Sequence, residues 1–173
     1  MDAFSKILGS HLGPTKGLRM GKFRSNGKDR AKLDNWFKSP SLDQLKELTF
    51  DDGHMQSLPT SALRLAPTLR VAKFRNCHFP PLNDVPALIL PRLKHLKIVD
   101  ICLSNGDMER LLRGCTALEF LRLQAMNWSS TFHIRTLRTI YVCCWCCNER
   151  SQKVDHNMVI QDTPSLERLL VAV

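Results

Sequence analysis

The stretch from Leu90 to Met126 constrains this chain most, because it carries the frame Leu93-x-x-Leu96-x-Ile98 and repeats it as Leu118-x-x-Leu121-x-Leu123. The frame continues in both directions. Leu45-x-x-Leu48-x-Phe50 and Leu69-x-x-Ala72-x-Phe74 lie upstream, and Leu137-x-x-Ile140-x-Val142 and Leu166-x-x-Leu169-x-Val171 lie downstream. The first anchors, at 45, 69, 93, 118, 137 and 166, are separated by 24, 24, 25, 19 and 29 residues.

Those separations lie within or at the edge of the period of about 20 to 29 residues at which leucine-rich repeats stack. In x-Leu-x-Leu-x neighbouring side chains point to opposite faces of a strand, so the apolar pair turns inward and the residues around it turn outward. A returning leg closes each coil, and each repeat buries its apolar side only against its neighbours. The predicted fold class is α/β: a short leucine-rich-repeat solenoid of about six repeats, with a parallel sheet on its concave face. Short helices or irregular segments would form the convex face.

With 173 residues, 43% of them hydrophobic, the chain has the apolar surface for one core and no more. The longest apolar cluster, Val85 to Leu90, is broken by Pro86 and falls far short of the ~20 residues of a bilayer span, so no membrane association is expected. Asp2 and Lys6 interrupt the amino terminus where a secretory signal needs an apolar run. Seven cysteines, four of them crowded at Cys143, Cys144, Cys146 and Cys147, fit a reducing compartment better than a spaced disulfide framework. An intracellular protein, cytoplasmic or nuclear, is expected.

The net charge of +9 is uneven, since residues 1–38 hold nine Lys/Arg against three Asp/Glu. This divides the chain into a basic amino-terminal segment with a repeat cap, 1–38, and a repeat domain, 39–173. Ala3 to His11 reads as a short helix with Phe4, Ile7 and Leu8 on one face. Gly13 to Lys32 reads as loop, being rich in glycine and basic residues. Leu33, Trp36 and Phe37 form an apolar cap over the first repeat, as solenoid ends require.

The convex leg of repeat one is a short helix near Ser61 to Ala66, stopped by Pro67. In repeat two, Pro80, Pro81 and Pro86 exclude a long helix. Repeat three has the clearest helix: Ser104 caps it, Asp107 sits at the capping-box position, Met108, Leu111 and Leu112 form its apolar face, and Gly114 ends it. After Met126 the uneven spacing implies no regular returning leg, a loop at Asn148 to Asn157 and a short strand at Met158 to Ile160. The chain closes inside a strand at Val173, which reads as a truncated array.

Chemistry has little to stand on. Gly17 to Phe23 is one residue short of a phosphate-binding loop and lacks its Ser/Thr. The cysteines at 143–147 could join His133 or His156 around zinc, but a strand sends Cys143 and Cys144 to opposite faces and no second ligand pair has finger spacing. Cys77 and Cys115 read as small buried side chains. No hydrolytic motif is present, so no catalytic residue, cofactor or metal is assigned.

Stacking the frames predicts instead a surface. The outward column between the apolar pairs reads Thr49, Lys73, Lys97, Arg122, Tyr141, Leu170. Glu47, Val71, His95, Phe120, Thr139, Arg168 run on one side of it, and Asp51, Arg75, Val99, Gln124, Cys143, Ala172 on the other. Three adjacent cations repel by an amount on the order of 1 kcal/mol per neighbouring pair before screening, and an acidic partner would relieve it. Lys73, Arg75, His95, Lys97, Phe120, Arg122 and Tyr141 are therefore the expected partner-binding face, with the two aromatic rings as apolar anchors.

Leu111, Leu112, Gly114, Cys115, Leu118, Glu119, Leu121 and Leu123 also reproduce a Leu-Leu-x-Gly-Cys-Pro-x-Leu-Glu-x-Leu-x-Leu pattern, with Thr116 in place of the proline. In this the chain resembles the repeat region of plant F-box/LRR proteins. Leu33 to Phe50 and Val159 to Leu170 are similar to further segments of that family. The resemblance implies a substrate-holding repeat array of a ubiquitin-ligase receptor. The F-box that recruits the ligase adaptor is missing from it, so the adaptor is not an expected partner.

The sequence thus points to a non-catalytic protein-protein interaction module with a protein partner of acidic character. The alternative readings are a nucleic-acid or anionic-surface binder working through residues 13–38, and a truncated product without independent function.

Overall fold

The computed structural model describes residues 2–10, 13–23, 30–53, 57–80, 82, 88–101, 103–124, 130–143 and 158–172. Among the described residues nine strands form, in chain order: β1 (Gly17–Phe23), β2 (Glu47–Asp52), β3 (Val71–Arg75), β4 (His95–Val99), β5 (Phe120–Gln124), β6 (Ser130–His133), β7 (Thr139–Cys143), β8 (Met158–Gln161) and β9 (Arg168–Ala172). Seven of them make one parallel sheet in the order β1-β2-β3-β4-β5-β7-β9. All six frames read from the sequence are in it, each in the expected register.

Leu48 pairs with Ala72, Ala72 with Leu96, Leu96 with Leu121, Leu121 with Ile140, and Ile140 with Leu169. Phe50, Phe74, Ile98, Leu123, Val142 and Val171 form the second inward row. From β2 to β7 every residue of both rows is buried, and the first anchors Leu45, Leu69, Leu93, Leu118 and Leu137 are buried beneath them. The register is fixed because a slip of one residue would turn each apolar row to water.

A second device repeats at the start of each strand. The carbonyl of the residue before a strand accepts two amide hydrogens from the next rung: Arg70 O takes Lys94 N at 2.9 Å and His95 N at 3.1 Å, and Lys94 O takes Glu119 N and Phe120 N, both at 2.9 Å. Asn76 and Asp100, immediately after β3 and β4, turn the chain out of the sheet with φ of 48° and 51°. Short polar side chains tolerate that left-handed backbone better than others.

The convex legs follow local sequence. Helices α1 (Asp2–Ser10), α2 (Arg30–Phe37) and α3 (Asn105–Arg113) are joined there by 3₁₀ turns at Pro40–Leu42 and Thr60–Leu65. In α3 the Ser104 hydroxyl accepts the Asp107 amide at 3.1 Å and donates to the Asp107 carboxylate at 2.7 Å. Met108, Leu111 and Leu112 are buried, as their spacing on one helix face demands. Arg64 ties repeat to repeat: its guanidinium donates to Phe37 O at 2.5 Å and Ser39 O at 2.6 Å and pairs with Asp43. It thereby satisfies carbonyls left open at the end of α2.

Leu33, Trp36 and Phe37 are buried on α2, and Phe37 packs on Phe50 with ring centroids 6.2 Å apart. Phe4 of α1 meets Trp36 edge-on at 4.5 Å, and the Trp36 indole donates to Ser5 at 2.7 Å. The aromatic cap therefore closes the core. Ile7 departs from the expected helix face, standing 61% exposed.

Two further segments differ from the sequence reading. Residues 17–23, expected as loop, form edge strand β1, with Leu18 and Met20 buried in line with Leu48 and Phe50. The late repeats do have returning legs: β6 pairs in parallel with β8 in a separate two-stranded sheet, and β6 packs beside α3. A 19-residue repeat leaves too little chain for a helix, and four extended residues make the return instead. Cys144 to Cys147 and the loop assigned to Asn148 to Asn157 lie outside the described residues. Among the described residues, no helix is long and apolar enough to cross a membrane.

Candidate functional site

Because the inward rows are consumed by the core, the chemistry available to a partner stands on the other face of the sheet. There the register stacks Thr49, Lys73, Lys97, Arg122, Tyr141 and Leu170 in consecutive rungs. Rungs of a sheet are about 4.8 Å apart, so Lys73, Lys97 and Arg122 form a line of three cations held by the backbone. Arg19 on β1 extends the column beyond Thr49. The alternation Leu18-Arg19-Met20 was the signal for it, obscured by Gly17, Gly21 and the absence of an apolar first anchor.

The three cations differ in their surroundings. Lys73 is exposed, while Lys97 and Arg122 are half-buried. Burial, followed by the neighbouring charges of Lys73 and Arg122, holds the Lys97 ammonium below the usual lysine range. Its Nζ lies 5.6 Å from the centre of the Phe120 ring. The Arg122 guanidinium lies 4.5 Å from the centre of the Tyr141 ring and donates to Gln124 at 3.3 Å, but its Nε is buried with no hydrogen-bond partner among the described residues. A buried donor without an acceptor costs free energy.

His95 and Phe120 are adjacent in the next column and stack at 5.7 Å. The two aromatic rings are thus already engaged by cations and by His95. Arg75 stands apart at the far end of β3, between Asp51 and Val99, with Asp51 also accepting from Asn76 at 2.9 Å. Beside Lys73, where Gly17 and Thr49 are small, a cleft of about 280 Å³ opens between Arg19, Glu47 and Lys73. Cys143, expected on an outward column, is buried instead.

A charged rim borders this face at the start of the strands. Lys16, Lys46, Arg70 and Lys94 occupy four consecutive rungs, each offering its carbonyl to the next as described above. Lys94 is bound to Glu119 at 2.7 Å, and Arg138 reaches Glu167 at 3.6 Å. The Lys94 hydrogen bond holds the Glu119 carboxyl below its usual range. The basic excess therefore concentrates on β1 to β5, and the last strands carry an alternating rim and an apolar surface. The rim residues are the first x of each Leu-x-x-Leu-x-Leu frame, one position before the columns read from the sequence.

Cys77 and Cys115 are buried, and burial pushes each thiol up to about 12. A family model described as FBD-associated F-box protein At5g56370, LRR repeats, matches residues 33–173. No curated protein and no solved structure matches the chain.

Proposed function

The chain belongs to the family of leucine-rich repeats found in FBD-associated F-box proteins, and from that premise we propose that it is a non-catalytic module whose open sheet face holds an acidic segment of a protein partner. In a ubiquitin-ligase receptor that partner would be the protein to be modified. The observation that carries the reading is the unbroken line Lys73, Lys97, Arg122, in which each charge lacks a carboxylate partner among the described residues and Arg122 Nε lacks any acceptor. Arg19 and Arg75 widen the positive field around it, and Phe120, stacked on His95, and Tyr141 give it a rigid floor.

An acidic segment lying across the strands would neutralise the line. Charge pairs that become desolvated on docking are the ones that contribute most to specificity. Anionic-surface binding through residues 13–38 is the weaker reading, since Arg19 belongs to this same face and Lys38 is paired with Asp34.

The test is a binding comparison between the native chain and Lys97→Glu/Arg122→Glu, with Arg110→Glu/Arg113→Glu on the convex α3 as the control for net charge. The first double variant loses the acidic partner by about a hundredfold or more, as expected for reversing two central charges. The control retains it within a few fold. Equal loss in both would reduce the effect to overall charge and refute the assignment of the face.

A further inference from the structure

The line Lys73, Lys97, Arg122 has a period, and the period selects the conformation of a chain that can follow it. The three side chains leave consecutive rungs, so they are spaced at about 0, 4.8 and 9.6 Å along the direction that crosses the strands. Two of the charges are held to that spacing. Lys97 lies over Phe120 on β5 and Arg122 over Tyr141 on β7, so each leans one strand onward and the interval between them stays one rung.

An extended segment laid across the strands turns the same side down at every second residue, about 6.7 Å apart, so its third carboxylate overshoots Arg122 by about 4 Å. A polyproline-type segment returns to the same side only after about 9.3 Å and passes over Lys97. In an α-helix, residues i, i+3 and i+7 rise by about 0, 4.5 and 10.5 Å and lie within about 60° of one another around the axis, so each falls within about 1 Å of its rung.

The face also has the width of one helix. β3, β4 and β5 are each five residues long. Their first and last outward residues are thus about 13 Å apart, against a helix diameter of about 10–12 Å with side chains. Val71, His95 and Phe120 stand on one flank of the cation line, and Arg75, Val99 and Gln124 on the other. Val71 and Phe120 on the first flank and Val99 on the second are half-buried, which puts apolar area on both sides of the charges.

Resting on the acidic-partner reading above, we propose that the segment held by this face is an α-helix lying across β3, β4 and β5. Its carboxylates at i, i+3 and i+7 meet Lys73, Lys97 and Arg122 in turn, and apolar residues on the two shoulders of that stripe rest against Val71, Phe120 and Val99.

NMR titration of the full chain, read on the Lys97 and Arg122 side chains, tests this with two alanine-rich peptides of equal composition and about sixteen residues, long enough for partial helicity in water. One carries three glutamates at i, i+3 and i+7, the other at i, i+2 and i+4. In low salt the first binds tighter by about fivefold or more, the loss expected when two of three surface ion pairs cannot form. Transferred NOEs of the bound peptide show the i to i+3 contacts of a helix. Exchanging charges reads the register: a version of the first peptide with lysine at i+3 binds Lys97→Glu more tightly than it binds the native chain.

Equal affinity of the two peptides, or tighter binding of the second, overturns the helix and leaves the acidic-partner reading standing. Bound-state NOEs of an extended chain, or a lysine version without preference for Lys97→Glu, overturn it as well. Polyglutamate that binds while neither peptide does also removes the helix alone. A face that binds none of the three refutes the acidic-partner reading together with the helix.

Discussion

Leu121→Ala lowers the unfolding free energy by about 3 kcal/mol, within the range of about 2 to 5 for deleting a fully buried leucine. Leu121 is 0% exposed and pairs with Leu96 on one side and Ile140 on the other, so the cavity opens in the middle of the inward row. Repeats contact only their neighbours, so the loss is local. Amide exchange accelerates in β4, β5 and β7 before it does in β2 and β3. Leu169→Ala occupies the same frame position at the exposed edge and changes stability by less than about 0.5 kcal/mol. Denaturant titration with exchange readout checks both. A Leu169→Ala effect equal to that of Leu121→Ala would mean that the inward row is not what it is taken to be here.

Gly114→Ala costs about 3 kcal/mol for a different reason. Gly114 ends α3 with an ordinary φ of −72°, so no left-handed backbone demands glycine. A Cβ at this position would instead lie 2.0 Å from the carbonyl oxygen of Leu88, which is backbone and has no rotamer to yield. The same close approach carries the hydrogen bond from Leu90 N to Gly114 O at 2.8 Å. Relieving the overlap separates α3 from the preceding repeat, adding overpacking strain to a lost backbone bond. Gly106→Ala on the same helix, with open space around its Cβ, is the control and is neutral or stabilising. Thermal unfolding of the pair checks this.

What the sequence disclosed follows from what repeats dictate. A strand whose apolar residues alternate around a leucine anchor can sit in only one register against its neighbour, so the columns from Thr49 to Leu170 could be written down from spacing alone. The α3 cap was equally legible, because Ser104 and Asp107 act within one turn of chain. β1 was not, since Thr15 stands where later repeats have an apolar anchor and two glycines dilute the alternation.

The legs β6 and β8 were half legible. Met158 to Ile160 reads as a strand, but its partner Ser130 to His133 is recognised only in space. The orientation of Lys97 over Phe120 and of Arg122 over Tyr141 depends on cross-strand geometry, and with it the unmet Arg122 Nε. No one-dimensional pattern encodes that.

The charge line also sets a pH response. A lysine whose folded pKa lies below its unfolded value disfavours the fold while charged, so its contribution to stability rises as pH climbs through the folded pKa toward the unfolded one. For Lys97 the causes are burial and then the charges of Lys73 and Arg122, and a carboxylate brought alongside acts in the opposite sense. The most direct measurement is the Lys97 titration by NMR, in the free chain and with a saturating polyglutamate peptide. The expected result is a depressed midpoint in the free chain that moves up when the peptide is bound. A bound peptide that leaves the Lys97 midpoint where it was would contradict it.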